Sequence, residues 1–151
     1  MITEKIYYKN MFASSADSSV LNVDFENCII YLDRTVAYPE GGGQPSDTGY
    51  IKYDGMKIQF DNVSKEGGRV LLHDDFPSIN VGTKIKHHIR LEDRSKLKSL
   101  KPGNNVSVHI DKERRAFLSL SHTASHVLFM AVKQVRPELI DNIILDSKVL
   151  V

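Results

Sequence analysis

Two histidines four positions apart are the residues whose types and spacing most directly suggest chemistry. His122 and His126 occur in the run His-Thr-Ala-Ser-His. On a helix, residues i and i+4 share a face, so both imidazoles could bind one metal ion, for which zinc is the natural candidate. Thr123 replaces the glutamate that follows the first histidine of the HExxH metalloprotease motif, which disfavours peptide hydrolysis by that route.

Two imidazoles do not complete a catalytic zinc site, which generally has three protein ligands and one open position. The other thiol and imidazole groups lie at no obvious metal-ligand spacing from the pair: Cys28, His73, His87, His88 and His109. As a spacing alone, His122 and His126 are also compatible with surface or hydrogen-bonded histidines, which is the more common case.

A glycine-rich segment is the second candidate site. Gly41, Gly42 and Gly43 are consecutive, which allows positive φ and close backbone approach, either for a tight turn or for a ligand lying against the main chain. Both interpretations stay open. A phosphate-binding P-loop is disfavoured because Gln-Pro follows the glycines instead of Lys-Ser/Thr. Polar groups that could orient a small substrate surround the turn, namely Arg34, Thr35, Glu40 and Gln44.

The elements that must position these residues are short strands followed by a helix. Apolar runs separated by turns fill residues 1–83, and Asp54-Gly55 is a strong hairpin signal, so we expect a meander or small barrel. Residues 83–91 and 106–110 are further strands. Asp111 is a suitable N-cap for a helix from Lys112 to about Val135, which Arg136-Pro137 ends.

The helical periodicity predicts which side of that helix packs in the core. The residues expected to form the buried stripe are Phe117, Leu120, Ala124, Leu128, Ala131 and Val135. His122 and His126 lie about 160° from the stripe, beside Arg115 and Lys133. The two histidines are therefore expected on a different face from the core.

Composition excludes several classes of protein. The chain has 151 residues, 41% of them apolar, which is too apolar for a disordered chain, and it lacks the roughly 20-residue apolar stretch of a membrane span. A single cysteine and an N-terminus without a signal peptide predict a cytoplasmic address. Residues 140–151 are apolar to the last position, which predicts a strand paired in a sheet, a chain cut within a larger fold, or self-association.

A basic stretch is a third candidate site. Residues 84–101 contain seven Lys and Arg against two acidic residues, although the whole chain has a formal charge of only +1. Such a stretch could neutralise phosphates of a nucleic acid, with a solvated protein face as the alternative. The candidate contacts include Lys84, Lys86, Arg90, Lys96 and Lys98.

Three motifs, taken together, resemble the editing domain of alanyl-tRNA synthetase and its freestanding relatives, which hydrolyse mischarged tRNA in trans. They are the segment 34–49 around the three glycines, the approach 106–115 that ends Ile-Asp-x-x-x-Arg, and the His-Thr-Ala-x-His-x-Leu run at 122–128. The resemblance implies an α+β fold. We expect a glycine-rich β-barrel domain at residues 1–101, followed by the N-terminal part of an α/β metal-binding domain at 102–151.

The resemblance also implies a substrate and a metal. The substrate would be alanine tRNA mischarged with serine, and Thr35 matches the position that contacts the serine hydroxyl, with Gly41, Gly42, Gly43 and Gln44 shaping the pocket. Zinc would be held by His122 and His126 plus a downstream Cys-x-x-x-His motif. No cysteine follows Cys28, so zinc is expected to bind weakly or not at all. The alternatives are an inactive tRNA-binding module or an interaction domain of the same fold.

Overall fold

A closed antiparallel barrel forms the body of the protein in the computed structural model, which describes residues 2–72 and 79–142. Its strands follow the order β10-β2-β3-β9-β6-β5 around the barrel. They are β2 (Ser15–Asp24), β3 (Ile29–Leu32), β5 (Gly49–Tyr53), β6 (Met56–Glu66), β9 (Lys84–Ile89) and β10 (Asn105–Ile110). The predicted small barrel and the α+β class are thereby confirmed.

Short elements flank the barrel. β1 (Glu4–Lys5) pairs in parallel with β4 (Arg34–Thr35), and β7 (Arg69–Leu71) pairs antiparallel with β8 (Ile79–Val81). The described part of the chain contains the helices α1 (Ile6–Lys9) and α2 (Lys112–Val135) and two 3-10 helices, Leu91–Ser99 and Pro137–Asn142. No described helix is long and apolar enough to cross a membrane.

Alternation of buried and exposed side chains explains the barrel strands. In β9 the inward positions are Ile85, His87 and Ile89, and β10 alternates in the same way. The hairpin between β5 and β6 turns at Asp54 and Gly55, both with positive φ, as the Asp-Gly signal predicts. A Cβ at Gly49 would lie 2.0 Å from the carbonyl oxygen of His109, so only glycine fits there.

The last barrel strand lies beyond the predicted boundary between the domains. The sequence analysis ends the barrel domain at residue 101, whereas β10 is hydrogen-bonded between β2 and β5. The barrel needs β10 to close, so it extends to Ile110. Beyond Ile110 the described residues form α2 and the second 3-10 helix. The predicted α/β domain stays a prediction, and residues 143–151 of the apolar tail lie outside the described part of the chain.

Helix α2 has the predicted ends but a different orientation. The Asp111 side chain accepts a hydrogen bond from the Arg114 amide at 3.0 Å and caps the helix. The apolar stripe is nevertheless exposed: Phe117, Leu120, Leu128 and Val135 keep 53%, 69%, 64% and 73% of their surface. The prediction that this stripe packs in the core is wrong, because α2 meets the rest of the protein through other side chains, the buried Leu118 and Arg115.

Candidate functional site

The three glycines form a tight turn. Gly41 and Gln44 exchange two backbone hydrogen bonds, of 3.1 and 3.2 Å, and Gly42 and Gly43 between them have φ of 63° and 79°. Two consecutive positive φ values match a type I′ turn, which strongly favours glycine. Gly42 is exposed and Gln44 is partly exposed, so the turn presents backbone and one amide side chain to solvent.

Thr35 lies in the interior of the protein and not at its surface. Its side chain is fully buried, and Oγ1 is 2.9 Å from Nε2 of His87. Oγ1 also accepts a hydrogen bond from the Ala37 amide at 3.0 Å. In this conformation the hydroxyl predicted to contact a substrate serine is therefore engaged within the protein.

His87 holds that hydroxyl from inside the barrel. Its Nδ1 is 3.1 Å from the carbonyl oxygen of Ile30, which can only accept, so Nδ1 carries the proton and Nε2 accepts from Thr35. Burial lowers the pKa of His87 from 6.5 to about 4. The ring is consequently neutral near pH 7, with both nitrogens satisfied.

A buried ion pair joins the glycine-rich segment to α2. Arg115 Nε donates to both carboxylate oxygens of Asp47, at 2.9 and 3.1 Å, and its Nη2 donates to the carbonyl of Val36 at 2.9 Å. Asp47 also accepts from the Tyr38 amide at 2.7 Å, and its own amide donates back to Tyr38. The Asp47 carboxylate thus connects two parts of the glycine-rich segment through the Tyr38 amide, and it attaches the segment to α2 through Arg115.

The two histidines lie on the side of α2 that Arg115 occupies. At about 100° per residue, positions 115, 119, 122 and 126 fall on one face. The Nε2 atoms of His122 and His126 are 3.1 Å apart, and their rings meet edge to face with centroids 4.6 Å apart. The predicted pairing of the imidazoles is therefore present, and the helical face that carries them is the one anchored to the glycine-rich segment.

The imidazole pair fits two positions of a tetrahedral zinc site. Zn–N bonds of about 2.0 to 2.1 Å at tetrahedral angles separate two nitrogens by about 3.4 Å, close to the spacing of this pair. Among residues 2–72 and 79–142, no group of three or more His, Cys, Asp or Glu side chains could hold a metal ion. Zinc binding stays a prediction for His122 and His126.

Some of the predicted RNA-binding basic residues form ion pairs, and others are exposed to solvent. Lys86 forms an ion pair with Glu66 at 2.7 Å, and Lys96 forms one with Asp93 at 2.6 Å. Lys84, Arg90 and Lys98 are exposed, and the Lys98 ammonium lies 5.7 Å from the centre of the Phe25 ring. These exposed cations lie on β9, on the following turn and on the first 3-10 helix, and their contact with RNA stays a prediction.

Two functional features escaped the sequence analysis. The Asp47–Arg115 pair falls inside two of the matched motifs, so the motifs contained the signal, but neither residue suggested a role by itself. His87 alternates with Ile85 and Ile89, and that pattern could have placed it in the core.

Comparison with known proteins gives the family. Residues 4–94 match the family tRNA synthetases class II (A). The alanine–tRNA ligase of Methanothrix thermoacetophila is 34% identical over 133 residues, which cover 88% of this chain and 12% of that protein. The alanine–tRNA ligase of Saccharolobus islandicus is 38% identical over 136 residues, which cover 90% and 13%. The chain spans only about an eighth of the length of these relatives. It belongs to the family tRNA synthetases class II (A), as an alanyl-tRNA synthetase-related domain.

Proposed function

We propose that this chain serves the hydrolysis of mischarged alanine tRNA in the cytoplasm, with seryl-tRNA as the substrate. The reaction cleaves the ester between the amino acid and the terminal ribose of the tRNA. The observation that carries the proposal is the Asp47–Arg115 pair, because it attaches the histidine helix to the glycine-rich segment. The motif resemblance and the similarity to alanine–tRNA ligases support the choice of substrate.

Zinc is the metal that the donor set fits. His122 and His126 would supply two nitrogen ligands, and the metal, when bound, would polarise the ester carbonyl or activate a water. The face of α2 that carries the imidazoles also carries Arg115, which is bonded to Asp47 and Val36 of the glycine-rich segment. We propose that this attachment orients the imidazoles towards the substrate, which would lower the entropic cost of bringing the reacting groups together.

Selectivity for serine over alanine requires a polar contact that alanine cannot make. A site built to hydrogen-bond a hydroxyl can reject the analogue without it by about 10⁴-fold. The accessible groups of the glycine turn are its backbone and the Gln44 amide, which we propose as the surface that meets the amino acid. The Thr35 hydroxyl is buried and bonded to His87 and the Ala37 amide, so we propose that its contact with serine requires these hydrogen bonds to open.

The test is hydrolysis of seryl-tRNA of the alanine acceptor by the 151-residue chain in a zinc titration. We expect zinc-dependent release of serine that His122→Ala and His126→Ala each remove. The matched control is His88→Gln, because His88 lies on β9 and bonds Ser64 at 2.7 Å, away from α2. Equal rates for His122→Ala and the unchanged chain contradict the proposal, and tRNA binding without hydrolysis at any zinc concentration supports an inactive binding module instead.

A further inference from the structure

A stacked pair of rings lies on the outer surface of the barrel. Tyr50 of β5 and His109 of β10 are cross-strand partners whose ring centroids are 4.7 Å apart and whose planes differ by 13°. Their sequence neighbours Ile51 and Val108 point into the core, so the two rings project outward. The ammonium of Lys57 lies 4.7 Å from the centre of the Tyr50 ring. We call Tyr50 and His109 the ring platform.

The imidazole of the platform is held in place by a hydrogen bond along its own strand. Nε2 of His109 is 2.9 Å from Oγ of Ser107, two residues earlier on the same strand. Partial burial and the nearby charges of Lys52 and Lys57 lower the pKa of His109, against a smaller opposing effect of Asp17. The ring therefore offers a flat aromatic surface, and the lowered pKa favours the neutral form of the imidazole, which stacks on another ring.

A polar cleft adjoins the platform. The cleft has a volume of 310 Å³, and its walls include His109, Lys52, Asp17 and two serines, Ser15 and Ser107. Three of these residues, Asp17, Lys52 and Ser107, also line a larger open cleft of 670 Å³ that continues over the barrel surface. A ligand lying on the platform would thus meet hydroxyl groups, the carboxylate of Asp17 and the ammonium of Lys52. Farther along, the larger cleft also carries Asp54 and the paired Asp33 and Arg34.

These groups match the parts of a nucleotide. Bases stack on aromatic planes, phosphates are neutralised by lysine, and a carboxylate with hydroxyls can accept and donate hydrogen bonds at the ribose 2′-hydroxyl. A base in a duplex is already stacked on its neighbours, so the platform suits an unpaired strand. We propose that the Tyr50–His109 platform and its cleft bind an unpaired ribonucleotide segment. The identity of that RNA as tRNA rests on the proposed function.

The test measures binding of a fluorescein-labelled, unstructured RNA hexamer to the 151-residue chain by anisotropy. His109→Thr keeps a strand-forming residue but removes the aromatic ring, and we expect it to weaken binding at least about fivefold. His109→Phe restores a plane and should restore most of the affinity, which a merely structural role of His109 would not predict. Thermal melting of both variants checks that the barrel is folded.

Two further variants test the charged groups. Lys57→Gln should lower the slope of log affinity against log salt by about 0.7, the value for one phosphate contact with a single strand. Lys133→Gln, which removes the same charge from the exposed surface of α2, should leave the slope unchanged. Asp17→Asn should reduce the preference for the RNA hexamer over a DNA hexamer of the same sequence.

The outcomes separate this proposal from the proposed function. Equal affinity of the unchanged chain and His109→Thr overturns the platform, as does binding of an RNA duplex in preference to the hexamer. Equal binding of RNA and DNA hexamers overturns the assignment to ribonucleotides. If the chain binds RNA through His109 but hydrolyses no seryl ester, the platform is supported and only the proposed hydrolase function is contradicted.

Discussion

At the residue scale, the Thr35 hydroxyl has a structural role in the protein interior. It satisfies both Nε2 of His87 and the Ala37 amide in a fully buried place. Thr35→Val keeps the shape and removes the hydroxyl, which leaves two buried polar groups without partners. At about 1 to 3 kcal/mol for each such group, we expect a loss of about 3 kcal/mol in the free energy of unfolding, measured in urea.

Thr35→Ser is the matched control for that change. It keeps the hydroxyl and removes one methyl group, which should cost less than about 1.5 kcal/mol. If Thr35→Val were as stable as Thr35→Ser, the hydrogen bond to His87 would contribute little. A role of Thr35 in contacting serine would then have to be judged from hydrolysis rates alone.

His87 should make the stability of the barrel depend on pH. Its pKa is about 4 in the folded protein against 6.5 in an unfolded chain. Above pH 6.5 both states are neutral and the contribution is complete. As the pH falls from 6.5 towards 4, only the unfolded chain takes up the proton, so stability decreases by up to about 3 kcal/mol.

The measurement is urea unfolding at a series of pH values, compared with His87→Phe. The pKa values of His88 and His109 are also lowered by burial, so part of the acid destabilisation should persist in the variant. Parallel profiles of the two proteins would contradict the assignment of this effect to His87.

At the element scale, the Arg115–Asp47 ion pair attaches α2 to the barrel together with the buried side chain of Leu118. Arg115 and Asp47 are 13% and 1% exposed, and removing one charge of a buried pair typically costs about 3 to 5 kcal/mol. Arg115→Met should therefore destabilise the protein by about that amount. It should also shift the nuclear magnetic resonances of His122 and His126, because their helix loses its anchor.

Arg136→Met is the matched control for this substitution. Arg136 pairs with Glu138 on the surface, where both side chains are more than half exposed, and such pairs contribute little. We expect no measurable change in unfolding free energy or in the histidine resonances. Unaltered resonances in Arg115→Met would show that other contacts position α2.

The elements predicted from sequence are those fixed by local physics. Alternation places the barrel strands, Asp54-Gly55 sets a hairpin, and Asp111 caps α2. Periodicity also identifies the apolar side of α2 correctly, but it cannot tell what covers that side. The orientation of the helix depends on contacts that form only in the folded chain, the burial of Leu118 and the pairing of Arg115 with Asp47, 68 residues away. The burial of Thr35 depends in the same way on His87, 52 residues away.

At the scale of the whole molecule, the unburied stripe of α2 predicts association of the chain with itself. Phe117, Leu120 and Leu128 present a large apolar surface on the helix side opposite Arg115, and burying it releases water from apolar groups. Sedimentation velocity should show the 151-residue chain forming larger species as its concentration rises. The double substitution Leu120→Glu and Leu128→Glu should keep it monomeric, because two charges would have to be desolvated in the contact.

The matched control is Lys133→Glu, which changes the charge on the Arg115 side of α2 and should leave the association unchanged. A chain that remains monomeric at every concentration would show that the exposed stripe is not sufficient for self-association.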